Sequence, residues 1–95
     1  MIEVSRPKFA IGQLVATPGA LEVLVEAEQT PIEFVVRHVR GDWGEVCEED
    51  KQANEDALQH GERLLSAYHT KKGVKLWVIT EADRSSTCIL LPEEY

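Results

Sequence analysis

Apolar positions in the first half of the chain recur at helical spacing, and those in the last third at extended spacing. Thr17-Pro18 opens the first helical stretch, because Thr can cap free amides and Pro at the first helical position sacrifices no hydrogen bond. Its expected apolar stripe is Leu21, Leu24 and Val25. Thr30-Pro31-Ile32-Glu33 repeats the signal, with Thr30 and Glu33 at the spacing of a reciprocal capping box. That stripe reads Ile32, Val35, Val36 and Val39 and stops at Gly41. A third helix is predicted from Glu48 to His60, ended by Gly61. Its apolar face is thin: Ala53, Ala57 and Leu58 stand among Glu48, Glu49, Asp50, Glu55 and Asp56. Such a helix should lie on the surface.

After Gly61 the period changes. Arg63 to Thr70 reads as a strand, and Lys71-Lys72-Gly73 as a three-residue hairpin loop with Gly where a left-handed conformation is wanted. Val74 to Thr80 answers as a strand apolar on both faces, which belongs in the middle of a sheet. Glu81 to Ser85 makes the next reversal and Ser86 to Leu91 the last strand, closed by Pro92. Phe9 to Ala16 is a candidate edge strand that Gly12 weakens. The expected fold is α+β: two to three N-terminal helices on a C-terminal three-stranded antiparallel meander, with a candidate fourth strand at the N-terminal edge. Residues 1–95 read as one domain, with residues 1–8 a loose arm.

Size and charge narrow the function classes. Ninety-five residues with 43% hydrophobic content support one core and leave little room for a deep substrate cavity. A net charge of −7 disfavours direct binding of nucleic acid, because phosphate attraction scales with local Lys and Arg. The N-terminus has no apolar stretch ahead of a small-residue cleavage site, and no segment approaches the ~20 apolar residues of a membrane span. The chain therefore reads as cytoplasmic. Cys47 and Cys88 have no C-x-x-C spacing and read as unpaired thiols of a reducing compartment.

Candidate chemistry is sparse. His38, His60 and His69 are the natural acid–base groups, but none has the spacing of a metal site, so neither metal nor cofactor is expected. His38, at the end of the second helix, also suits the helix dipole as a cation. His69 should be exposed. The serines lack a G-x-S-x-G context. Glu81, Asp83 and Arg84 form either a polar turn or a charged rim on which Arg84 holds a phosphate or carboxylate. Gly41-Asp42-Trp43-Gly44 is a glycine-bracketed turn. There Trp43 either plugs the junction of helices and sheet or, with Arg40 and Asp42, forms an exposed anchor for a partner. Glu45 to Asp56 carries six acidic residues against one Lys, a solvated face or a surface for a basic partner.

Four stretches, GQLVATPGAL, HVRGDWG, LLSAY and WVITEADRSSTCILLPEEY, together resemble a family of small bacterial proteins found on plasmids and integrated mobile elements. Members are labelled plasmid-related, or type I restriction endonuclease subunit M. The resemblance covers nearly the whole chain and implies a small accessory protein with no established activity. The restriction label does not fit: a methyltransferase subunit needs a parallel sheet with a Gly-rich cofactor loop and a Pro-Pro-aromatic motif, and this chain has neither.

Three function classes follow. The first, and preferred, is a non-enzymatic binding or regulatory module of a mobile element, acting on another protein. The second is a small nuclease of the barnase or RelE-like type, with His38, His69 and Arg84 as base, acid and phosphate-holder. The third is a self-associating domain, such as a homodimer, that uses an open sheet edge or the thin third helix.

Overall fold

The computed structural model describes residues 7–95. They form β1 (Gln13–Ala16), α1 (Pro18–Glu26), α2 (Pro31–Val39), α3 (Glu48–His60), β2 (Leu64–His69), β3 (Lys75–Thr80) and β4 (Ser86–Leu90), then a 3-10 turn at Pro92–Glu94. The class is α+β. Of the arm expected over residues 1–8, residues 1–6 lie outside the described residues. Lys8 is tied down, its amide donating to Val39 O at 2.7 Å.

The strands form one sheet in the order β1-β4-β3-β2. The meander β2-β3-β4 is antiparallel as expected, with Gly73 at φ 81° closing its first hairpin. β1 supplies the fourth, edge strand and runs parallel to β4, from Gln13 beside Ser86 to Ala16 beside Ile89. It is shorter than the apolar run from Phe9 because Gly12 turns the chain at φ 62° immediately before it.

Alternation along the strands gives the sheet two unlike faces. Leu64, Ser66, Tyr68, Leu76, Val78, Thr80, Thr87 and Ile89 share the face that meets the helices. The main core joins Ala20 and Leu24 of α1 and Phe34 and Val35 of α2 to Tyr68, Leu76, Val78 and Ile89. A second cluster packs Trp43 and Ala57 of α3 on Leu64, with Phe9, Val46 and Leu58 against it.

The helices are turned relative to the expected stripes. In α1, Ala20 and Leu24 are buried while Leu21 and Val25 are exposed, since the methyl of Ala20 lets the helix approach the sheet closely. In α2 the buried line is Phe34, Val35 and His38, and Ile32 is 56% exposed. The sheet opposite offers the hydroxyls of Ser66 and Thr80, which give His38 a reason to point inward. In α3, Asn54 and Ala57 are buried and Ala53 is exposed. The capping signals also divide differently. Thr17 Oγ1 accepts from Ala20 N at 3.2 Å, but Thr30 makes no side-chain cap. Its expected partner Glu33 instead accepts from Gln29 Nε2 at 3.0 Å.

The free side of β2 is covered. Asn54 Nδ2 donates to Leu65 O at 2.7 Å and Asn54 Oδ1 accepts from Leu65 N at 3.0 Å. Further along, Ala67 N donates to Trp43 O at 3.1 Å and Ala67 O accepts from Glu45 N at 2.7 Å. The second sheet face carries Leu65, Ala67, Trp77, Ile79, Cys88 and Leu90, with Val15 at its margin. The buried residues of the described helices all lie at the first face or along the β2 edge. Across the second face leans the C-terminal Tyr95, its ring 5.8 Å from that of Trp77 and its hydroxyl bonded to Arg63.

Candidate functional site

Three of the residues singled out in the sequence, His38, Trp43 and Arg84, do converge. The group that gathers them is Phe9. Its ring meets His38 edge-on at 5.1 Å, stacks on Trp43 at 6.2 Å and lies 5.8 Å from the Arg84 guanidinium carbon. The meeting point is interior, with both His38 and Trp43 buried.

His38 is fully buried, with both ring nitrogens paired: Nδ1 lies 2.5 Å from Ser66 Oγ and Nε2 lies 2.9 Å from Thr80 Oγ1. Thr80 Oγ1 lies 2.7 Å from Thr87 Oγ1, and Thr87 donates to Ile11 O at 2.8 Å. Burial, helped by the positive charge of Arg84, lowers the pKa of His38 to about 4. The expectation of a cationic His38 complementing the α2 dipole is therefore corrected. The ring is neutral at neutral pH, because an imidazolium here would lose its hydration and face Arg84.

Arg84 sits at φ 60° in the β3–β4 turn. Its Nη1 donates to Glu62 O at 2.6 Å and to Glu81 O and Ala82 O at 3.1 Å each, and Nη2 donates to Ala57 O at 3.2 Å. Ala57 O, which also accepts the amides of Gly61 and Glu62, and the nearby Glu62 O stand at the α3 C-terminus, where a cation is favourable. The guanidinium thus staples the turn to the helix end. Asp83 accepts from Ser85 N at 2.9 Å, and hydrogen bonds from Ser85 hold its carboxyl below the usual range. Glu81 is exposed.

Trp43 is 4% exposed, with Nε1 donating to Glu55 Oε2 at 2.8 Å. Its reading as an exposed anchor is overturned, and the plug reading describes it. Close approach explains the following glycine: a Cβ on Gly44 would lie 2.0 Å from Ala67 O. Asp42 accepts from Arg37 Nε at 2.7 Å and from Gly44 N at 3.1 Å, and the bond from Arg37 is the main reason its carboxyl titrates below the usual range. Arg37 also lies over the Tyr68 ring at 4.4 Å. Tyr68 donates to Asp42 O, and burial pushes its phenol up to about 12. Arg40 is exposed at the end of α2.

His69 is exposed as expected, its Nδ1 2.5 Å from Glu45 Oε2. It belongs to the second sheet face, and His38 packs on the first. Of the three residues of the nuclease reading, His38 and Arg84 share the neighbourhood of Phe9 but one is enclosed and the other is bound to four carbonyls, and His69 lies across the sheet. A groove of about 400 Å³ is lined by Glu26, Ala27, Glu28, Lys71 and Lys72. It includes none of the three, and its mixed charges select no sign of ligand.

The second sheet face was not singled out in the sequence. The available signal was β3 itself, where Trp77 and Ile79 alternate with Leu76 and Val78, so two apolar faces require two covers. Helices supply one. Cys88 on this face has its thiol pKa pushed up, mainly by burial and then by Glu94 and Glu81, which keeps it protonated and apolar. Among the described residues, no group of three or more His, Cys, Asp or Glu side chains could hold a metal ion, and no helix is long and apolar enough to cross a membrane.

Compared with known proteins, the chain matches no family model, no curated protein and no solved structure.

Proposed function

We propose that the chain is a non-catalytic binding module that works through the second face of its sheet. One observation carries this reading: the acid–base and cationic groups near the interior are committed to the fold, while a partly exposed apolar sheet face carries no helix among the described residues. His38 has both nitrogens bonded, and Arg84 holds four carbonyls. Chemistry at either would require breaking the structure around it. On that face Ala67, Ile79 and Leu90 are buried within the chain, but Leu65, Trp77 and Cys88 are half-buried and Val15 is 41% exposed, which leaves apolar surface for another protein to cover. The setting as an accessory protein of a plasmid or mobile element rests on the resemblance of the four sequence stretches alone.

The test compares capture of binding partners from a host cell by wild type and by Val15→Glu and Leu65→Glu, which place a carboxylate on that face. Specific, salt-resistant capture by wild type that both variants lose is the expected result. Capture retained by both variants would refute this use of the face. Cleavage of RNA or DNA by purified protein, with or without divalent metal, would refute the non-catalytic reading.

A further inference from the structure

We infer that the open angle between α1 and α2 is a separate docking surface, one that takes an amphipathic helix of another protein whose apolar stripe is flanked by Lys or Arg. It lies on the opposite side of the sheet from the face discussed above, so the inference goes beyond that reading and does not depend on it.

The starting point is what α1 and α2 leave outside the core. Among the described residues five large hydrophobic side chains are exposed, and Leu21, Val25 and Ile32 of these two short helices are three of them. Val25, at 75%, is the most exposed of all. Leu21 and Val25 stand one turn apart on α1, as Ile32 and half-buried Val36 do on α2. Each helix thus carries an outer apolar stripe beside the one it buries.

Neighbours fix where each stripe points. At about 100° per residue, Gly19 and Leu21 fall on nearly opposite flanks of α1. A Cβ on Gly19 would meet Glu94 and Leu91, beyond the C-terminal end of β4, so the flank of Leu21 and Val25 turns back over the sheet. On α2, Arg37 lies over the Tyr68 ring of β2, which turns Ile32 and Val36 toward the β4 side. There α1 packs on β4, while α2 packs on β3. The two stripes therefore face each other from adjoining helices, closed at one end by the connection through residues 27–30.

Charge selects the occupant. Residues 18–36 carry Glu22, Glu26, Glu28 and Glu33 and no Lys or Arg, and none of the four is in an ion pair among the described residues. Of the neighbouring cations, Arg37 is held by Asp42. Lys71 and Lys72 share a groove with Glu26 and Glu28 and leave Glu22 and Glu33 unopposed. An apolar stripe bordered by carboxylates repels a second copy of this chain, at net −7, and complements one bordered by ammonium or guanidinium groups. A helix is the shape that fits: its anchors one turn apart, about 5.4 Å, match the one-turn spacing of Leu21 from Val25 and of Ile32 from Val36.

The probe is a synthetic amphipathic helix with a leucine stripe bordered by lysines, titrated against the chain by fluorescence anisotropy beside the same peptide with glutamates for lysines. The lysine peptide should bind and the glutamate peptide should not. Val25→Ser and Ile32→Ser, both at exposed positions, should each weaken binding by about tenfold. Glu22→Lys should weaken it more than Glu49→Lys, which makes the same change of net charge on α3. Circular dichroism checks that each variant is folded. No binding of the lysine peptide at millimolar concentration overturns the inference. So does equal binding of the glutamate peptide, or equal loss in Glu22→Lys and Glu49→Lys, which would reduce the attraction to net charge. Wild type that dimerises in sedimentation while Val25→Ser stays monomeric would give the surface to a second copy, and binding that appears only after deletion of residues 1–6 would give it to that segment; either overturns the inference. Binding lost in Leu65→Glu but kept in Val25→Ser would move the helix to the second sheet face, and the binding-module reading would stand while this inference fell.

Discussion

His38 Nε2 donates to Thr80 Oγ1 across 2.9 Å of buried space between α2 and β3, and its neighbours fix the direction of that bond. The hydroxyl proton of Thr87 goes to Ile11 O. Thr80 must then donate to Thr87, which leaves its oxygen to accept from His38. The ring therefore carries its proton on Nε2, and bare Nδ1 accepts from Ser66. A single chain of donors runs from β2 through α2, β3 and β4 to the segment before β1. Every member is satisfied, so this polar line specifies how helix and sheet register without leaving an orphan.

A pH dependence of stability follows. The folded pKa of His38 is about 4, below the ~6.5 of an unfolded imidazole. The unfolded state thus binds more protons between these values, and stability falls as pH drops from about 6.5 to about 4. Above that window the contribution is complete, worth about 3 kcal/mol by linkage. Urea midpoints measured from neutral pH to pH 4.5 should decline in wild type. His38→Gln, which keeps a donor for Thr80 but cannot titrate, should show a flatter profile from a lower starting stability.

The elements were legible where the chain punctuates itself. Thr17-Pro18, Thr30-Pro31, Gly61 and Gly73 mark boundaries by local chemistry, and the structure places breaks at all four. The facing of the helices was not legible, because it depends on partners far along the chain. His38 looks like a surface cation until Ser66 and Thr80, 28 and 42 residues on, are seen opposite it. Asn54 looks like one more polar residue on a charged helix until Leu65 presents an unpaired strand edge. Arg84 was legible as a residue of interest, but four carbonyls from three segments gave it its role.

Arg84→Lys should therefore fail to substitute. A single ammonium cannot present the planar fork that reaches Ala57, Glu62, Glu81 and Ala82 together. Losing these bonds should cost about 2 kcal/mol, more than a surface change, and Arg84→Ala should lower stability at least as much. Thermal unfolding of both beside wild type checks this. A lysine variant as stable as wild type would contradict the staple.

Two left-handed glycines separate strain from collision. Gly61, at φ 68°, has open space around a built Cβ, so Gly61→Ala should cost only the backbone term of about 1 kcal/mol. Gly44, at φ 73°, would drive its Cβ to 2.0 Å from Ala67 O and into the Tyr68 ring. Gly44→Ala must push the loop off β2 and should cost 3 kcal/mol or more on the scale of severe core lesions. Denaturant titration of the two variants should show that ordering.

Asn54 makes the last prediction because it stands where another strand would. Its amide completes both hydrogen bonds of Leu65 on the free side of β2, and the pairs from Trp43 and Glu45 to Ala67 continue the cover. The expectation of self-association through an open edge fails along this stretch of β2, since its backbone is already bonded. Asn54→Ala removes that cover and leaves a buried donor and acceptor unpaired, at about 1 to 3 kcal/mol. It also exposes a strand edge able to template pairing with another chain. Size-exclusion chromatography should show concentration-dependent aggregates in Asn54→Ala that are distinct from any discrete dimer of wild type. Asn54→Asp should behave differently: its carboxylate still accepts from Leu65 N but meets Leu65 O without a donor, so it should be less stable than wild type at neutral pH and recover as the carboxyl is protonated. Hydrogen exchange at the Leu65 amide, slow in wild type and fast in Asn54→Ala, would locate the effect at the strand edge.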